Sequence, residues 1–210
     1  MSSYEDYVWA SMYNFIGNEY GTAGLMGNLY AESGMIPYRL QGDFTSGYSR
    51  SIAYTNNVNA GIYTENQFVN DSKGYGLAQW TYYTRKQGLY DKFVNGGYSS
   101  IGDMSLACAY LQDELSTTFA GVLSVLRSAT SVREASDIVL HQFENPASQG
   151  PEVEAYRASL GQGYYDTYAG GGPTPPTPPP IPPDPPIPTQ PSIPYWLLYK
   201  MSQNNNTCIT

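Results

Sequence analysis

The chain has 210 residues, 41% of them hydrophobic, with a formal net charge of −8. That is core material for one domain, with a segment to spare at the C-terminal end. The acidic balance excludes nucleic acid as the main partner, because phosphate binding needs clustered Lys and Arg, and excludes plain electrostatic attraction to anionic membranes or wall polymers.

The residue inventory narrows the chemistry. Two cysteines, Cys108 and Cys208, and a single histidine, His141, offer no metal-ligand spacing, so neither metal nor other cofactor is expected. A Cys-His peptidase would need Cys108 and His141 to meet outside their own helices. The N-terminus lacks the basic n-region and apolar run of a secretory signal. The apolar stretch at 195–199 is too short to span a bilayer. Tyrosine is abundant, at 21 residues; the rings serve either as core or as stacking platforms for sugars.

In chain order, Ser2 and Ser3 with Glu5 and Asp6 open an amphipathic helix (Val8, Trp9, Met12, Phe15, Ile16) that Gly17 stops. Thr22 is the expected cap of the next helix, whose stripe is Leu25, Met26, Leu29 and Tyr30; Gly34 ends it, with Pro37 beyond. Glu32 then falls in the last turn. Unpaired carbonyls there disfavour an anion, and so does partial burial. A carboxyl at that place is expected to hold its proton more tightly than a solvated one, as a general acid near neutral pH requires. The alternative is a solvated Glu at a fraying helix end.

Residues 38–52 read as loop, 53–61 as a short helix ending at Gly61, and Thr64 with Gln67 as a capping box before another. A turn at 71–74 leads into Gly74-Tyr75-Gly76-Leu77-Ala78-Gln79-Trp80. The two glycines remove side chains around Tyr75, so that backbone and ligand can approach. Gln79 adds a two-sided hydrogen bonder and Trp80 a stacking face; the competing reading is a short hairpin whose aromatics plug the core. A helix from 81 to 93 carries Arg85 near its start, where a cation opposes the dipole. It reads either as a plain surface arginine or as one held by an acidic partner, Glu32, Asp43 or Asp71, or by a ligand. Further helices are expected near 100–115, 119–128 and 131–143, the last with Ser131 and Glu134 as a capping box and His141 packed or solvent-facing. Asn145-Pro146 stops it. Pro151, Glu152 and Glu154 start the final helix, with Val153, Tyr156, Leu160, Tyr164 and Tyr168 as its stripe. The chain thus divides into a domain at 1–169, a Gly/Pro-rich spacer of polyproline type at 170–194, and a short apolar then polar tail at 195–210, a candidate anchor.

The ordered set of 27–34, 54–55 with 69–71, 74–81 with Arg85 and Lys86, 100–103 with Glu114, and Phe143-Glu144-Asn145-Pro146 resembles the phage tail-tip lysozyme family over about residues 4–169. The helix-terminal Glu followed by Gly-x-Gly-x-x-Gln is also similar to goose-type lysozymes and lytic transglycosylases. The resemblance implies a mainly α, lysozyme-like α+β fold with a minimal β-hairpin. It implies a phage-encoded peptidoglycan hydrolase that cleaves the β-1,4 bond between N-acetylmuramic acid and N-acetylglucosamine, with Glu32 as general acid. Tyr75, Gln79 and Trp80 then fall on the substrate-binding segment, with Arg85 beside it. Asp43 and Asp71 are the loop carboxylates open to the second catalytic role; if neither lies near Glu32, a lytic transglycosylase route follows. The third reading is a glycan-binding or structural tail protein without activity. The expected partners are bacterial peptidoglycan and other phage tail proteins. The expected location is the virion tail, or the host cytoplasm before release to the wall.

Overall fold

The computed structural model describes residues 3–146 and 148–169. The spacer and the tail, including Cys208 and the candidate anchor, lie outside the described residues. Nine α-helices carry nearly all the regular structure described: α1 Ser3–Ile16, α2 Glu19–Ser33, α3 Ser49–Asn59, α4 Glu65–Asn70, α5 Tyr83–Asn95, α6 Met104–Ser116, α7 Ala120–Ser128, α8 Val132–Ile138 and α9 Pro151–Tyr168. A π-helical turn, Val139–Glu144, extends α8.

The molecule is built around α2, which is buried from Gly21 through Leu29. Ala23, Leu25, Met26 and Leu29 fill the core, while the other side is a stripe of glycines. A Cβ on Gly24 would stand 2.5 Å from that of Ala135 in α8, and one on Gly27 would stand 2.5 Å from the Arg157 carbonyl oxygen in α9. Only hydrogen at these positions lets α8 and α9 press their backbones against α2. Gly161 reciprocates on α9, where an added Cβ would meet the Ala23 carbonyl oxygen at 2.9 Å.

Several expectations shift here. α2 starts at Glu19, capped by Asn18, whose side chain accepts from the Gly21 N–H and donates to the Arg127 and Ala129 carbonyls. Thr22 lies inside the helix. Tyr30 is 39% exposed rather than part of the core stripe, and so is Tyr156, at 56%; the buried seam of α9 is Arg157 and Gly161. α3 begins at Ser49, which shortens the loop before it. The capping box of Thr64 and Gln67 forms in both halves. At α8, Ser131 caps Glu134 N–H, while the Glu134 carboxylate accepts instead from Thr130.

The β component is minimal. Tyr75 bridges antiparallel to Leu40 on one side and to Trp80 on the other. Between Tyr75 and Trp80 the turn uses left-handed backbone at Gly76 (φ 79°) and at Gln79 (φ 45°). The fold is thus mainly α and lysozyme-like. No helix among the described residues is long and apolar enough to cross a membrane.

Candidate active site

A cleft of about 810 Å³ opens where the end of α2, the 39–44 loop, the 74–82 hairpin, α5 and the π-helical turn converge. Glu32 is on its wall. Gly34 ends α2 in the left-handed conformation (φ 65°), its N–H donating to the Tyr30 carbonyl at 2.8 Å. This stop fixes the last turn and points it into the cleft. There Glu32 meets a counter-charge that no local pattern announced: Arg157 Nη2 donates to Glu32 Oε1 at 2.5 Å. Arg157 is itself buried and oriented by Asn28, whose Oδ1 accepts from Nη1 at 3.2 Å. The Asn28 amide is fixed in turn, because its Nδ2 donates to the Gly24 carbonyl and to Ser136 Oγ and O. One face of α2 therefore builds a chain from Asn28 through Arg157 to Glu32.

A second carboxyl faces the same cleft. Glu144 ends the π-helical turn, where Asn145 takes left-handed backbone (φ 46°) and its N–H reaches back to the Leu140 carbonyl at 2.9 Å. Its Oε1 is enclosed without a hydrogen-bond partner. Burial, then the charge of Glu32, push the Glu144 carboxyl up to about 8, against the opposing pull of Arg85 and Arg157.

Arg85 lines the cleft as well, but its acidic partner is none of the three expected. It forks onto Glu114, Nε to Oε1 at 2.7 Å and Nη2 to Oε2 at 2.8 Å, and lies over the Phe143 ring at 4.6 Å. Glu114 also accepts from Trp80 Nε1 at 2.8 Å.

The hairpin aromatics do not reach the cleft. Tyr75 and Trp80 have no exposed surface and belong to the core, as the competing reading had it. Gln79 does line the cleft, yet its Nε2 is committed to the Arg39 and Gly76 carbonyls, holding the turn. The exposed rings on the cleft wall are Phe44 and Tyr82, 89% and 69% exposed. The sequence signal for them was a lone large apolar residue in a polar loop and a tyrosine just past the hairpin. Glu144 carried the same signal as Glu32, an acid in the last turn before a left-handed stop.

Neither loop carboxylate lines the cleft. Asp43 is buried and fully employed: Oδ1 accepts from Thr45 N and Oγ1, Oδ2 from Ser51 N at 2.7 Å and Oγ at 2.6 Å. Burial alone would raise its pKa, but these four bonds hold it well below the usual carboxylate range. Asp71 pairs with the buried Lys86 at 2.5 Å and accepts from the Tyr54 and Tyr63 hydroxyls. Its pKa is also lowered, the Lys86 and Tyr54 bonds outweighing burial. His141 is held by Gln149 and Glu154, away from the cleft wall. Among the described residues no group of His, Cys, Asp and Glu is placed to hold a metal ion.

The family model for phage tail lysozyme matches residues 4–168, and the chain belongs to that family. Membership gives it a peptidoglycan-lytic, lysozyme-like character. No curated protein and no solved structure matches the chain significantly.

Proposed function

We propose that this member of the phage tail lysozyme family is an N-acetylmuramidase, cutting the β-1,4 bond between N-acetylmuramic acid and N-acetylglucosamine with Glu32 as general acid. The observation that carries the reading is the placement of Glu32. It is a carboxyl on a cleft large enough for a glycan segment, held by Arg157 and backed by a rigid helix end. Glu32 hands its proton to the leaving glycosidic oxygen as positive charge develops at the anomeric carbon. Gln79 fixes the hairpin that forms one part of the wall, and Arg85 braces another part through Glu114 and the Phe143 carbonyl. Phe44 and Tyr82 give the sugars apolar faces to lie against. Peptidoglycan is then the partner, and the bacterial wall is the place of action for a virion-tail or released enzyme.

Glu32→Gln keeps the shape and removes the proton. The expected loss is about 10²–10⁴-fold in release of soluble glycan from purified walls. Retention of wild-type activity sinks the assignment, and a wild type that binds walls but releases nothing makes the protein a glycan binder instead.

A lytic transglycosylase on the same bond is the second reading. It is favoured by one feature: Asp43 and Asp71 spend all four of their oxygens on structural bonds away from the cleft, so neither supplies a nucleophile or base. Mass spectrometry of the digest separates the two. Hydrolysis leaves reducing ends, and transglycosylation leaves 1,6-anhydro ends lighter by one water.

A further inference from the structure

We propose that Glu144 is the proton-sharing partner of Glu32, a second carboxyl on the same cleft that keeps the catalytic one supplied with the proton it donates. The inference rests on the reading above and adds a positioning residue to it. The charges that act most strongly on Glu144 come from four elements: Glu32 on α2, Arg85 on α5, Glu114 on α6 and Arg157 on α9, and Glu32 and Arg85 line the same cleft as Glu144. With Glu144 itself, three carboxyls meet two guanidiniums. Arg85 is already forked onto Glu114, and Arg157 is already spent on Glu32 and Asn28. Neither of these guanidiniums is left free for a third anion, and Arg39, the other arginine on the cleft wall, lies over the Tyr48 ring. His141, one turn back on the same element, is engaged with Gln149 and Glu154. A carboxylate oxygen enclosed without a donor is costly, whereas a neutral carboxyl tolerates an unsatisfied oxygen far better. Glu144 Oε1 is such an oxygen, enclosed and without a partner. The cluster therefore balances with one proton on the Glu32–Glu144 pair, and the raised pKa of Glu144 agrees with that count.

The proton cycle follows. In the free protein the proton sits on Glu144, and Glu32 is paired with Arg157. When glycan fills the cleft, the proton passes to Glu32, and Glu144 becomes a carboxylate under the pull of the Arg85 and Arg157 charges. Glu32 then protonates the glycosidic oxygen, and the C–O bond breaks with its electron pair going to that oxygen. The incoming hydroxyl, from water or from the sugar's own 6-position, bonds to the anomeric carbon and returns its proton to the pair. Over one turnover the pair regains the proton it gave.

The test is Glu144→Gln in the full chain. Its near-identical shape spares packing, and circular dichroism and thermal melting check the fold. Without the second negative charge the pair no longer retains its proton at neutral pH. The alkaline limb of kcat/KM should move toward acid by at least about one unit, so that the loss at about pH 8 is some tenfold deeper than at about pH 5. Glu144→Asp should restore part of the limb. A uniform loss with an unmoved profile, or no loss, overturns the proposal. A second measurement is independent of turnover: the Glu144 side-chain carbon followed by NMR. In the wild type it should titrate far above an ordinary carboxylate, and in Glu32→Gln its midpoint should fall. Titration in the ordinary range in the wild type overturns the proposal. If instead wild type and Glu32→Gln release sugar equally, the muramidase reading fails while the NMR result still decides the shared proton.

Discussion

Phe44 and Tyr82 stand on the cleft wall with most of their surface in water, a cost that a sugar face lying against them would recover. Covering a ring of this size stabilises a complex by about 1–2 kcal/mol. Phe44→Ala and Tyr82→Ala should each weaken binding to purified peptidoglycan by about 5–30-fold in a sedimentation assay, with KM rising more than kcat falls. An unchanged KM in both variants removes the two rings from the glycan path. These rings also mark where residue-level reading of the sequence stopped. That Glu32 sits in the last turn of a helix was legible because a helix terminus is a local feature, written in Leu29, Gly34 and Pro37. Tyr75 and Trp80 were expected at the substrate because the glycines beside them promised access. What covers them is non-local: Tyr54, Phe68 and Tyr110, from three other helices, close over the pair. Arg157 stayed hidden for the same reason. It lies 125 positions from its partner Glu32, and nothing in its own helix singles it out.

At the scale of elements, the site depends on how closely α2 and α9 approach, since one carries Glu32 and the other Arg157. Gly27 sets that distance. A methyl group there would press to 2.5 Å from the Arg157 carbonyl oxygen and the Gly161 nitrogen, both backbone atoms that cannot swing aside. Gly27→Ala gains helix propensity, about 1 kcal/mol at best, and loses more to overpacking, about 1–3 kcal/mol. The Arg157–Glu32 contact shifts with it. The expected result is a lowered Tm together with a loss of glycan release larger than the fraction unfolded explains. A variant that melts higher than wild type and keeps full activity contradicts this packing. Helical spacing found the elements themselves with little error, because apolar periodicity and caps such as Thr64 and Ser131 act over a few residues. It misplaced the start of α2, since Thr22 is a sound cap and three glycines depress local propensity. The helix persists through them because α7, α8 and α9 lie against the glycine face.

For the whole molecule, the carboxylates set opposite slopes on stability against pH. Asp43 and Asp71 have folded pKa values below their unfolded ones, so their contribution is complete above the ordinary carboxylate pKa, about 4. It drains away as the pH falls toward their folded values. Glu144 runs the other way. Its folded pKa is raised, so its contribution is complete below the unfolded value and is lost as the pH climbs through about 8. The melting temperature should therefore peak in mildly acidic solution, fall steeply below about pH 4, and decline gently toward pH 8. Each limb has its own variant. Asp43→Asn turns an amide toward donors that need an acceptor, which should cost about 2 kcal/mol or more at neutral pH and flatten the acid limb. The loss falls on the loop that carries Phe44, so glycan binding should weaken along with stability. Glu144→Gln should leave the acid limb in place and flatten the alkaline one. Melting curves at several pH values check all three statements, and an alkaline decline that persists in Glu144→Gln would place its cause elsewhere than the carboxyl cluster. The same cluster that keeps a proton in the cleft near neutrality thus makes the fold less tolerant of alkali, and its site chemistry and its stability titrate together.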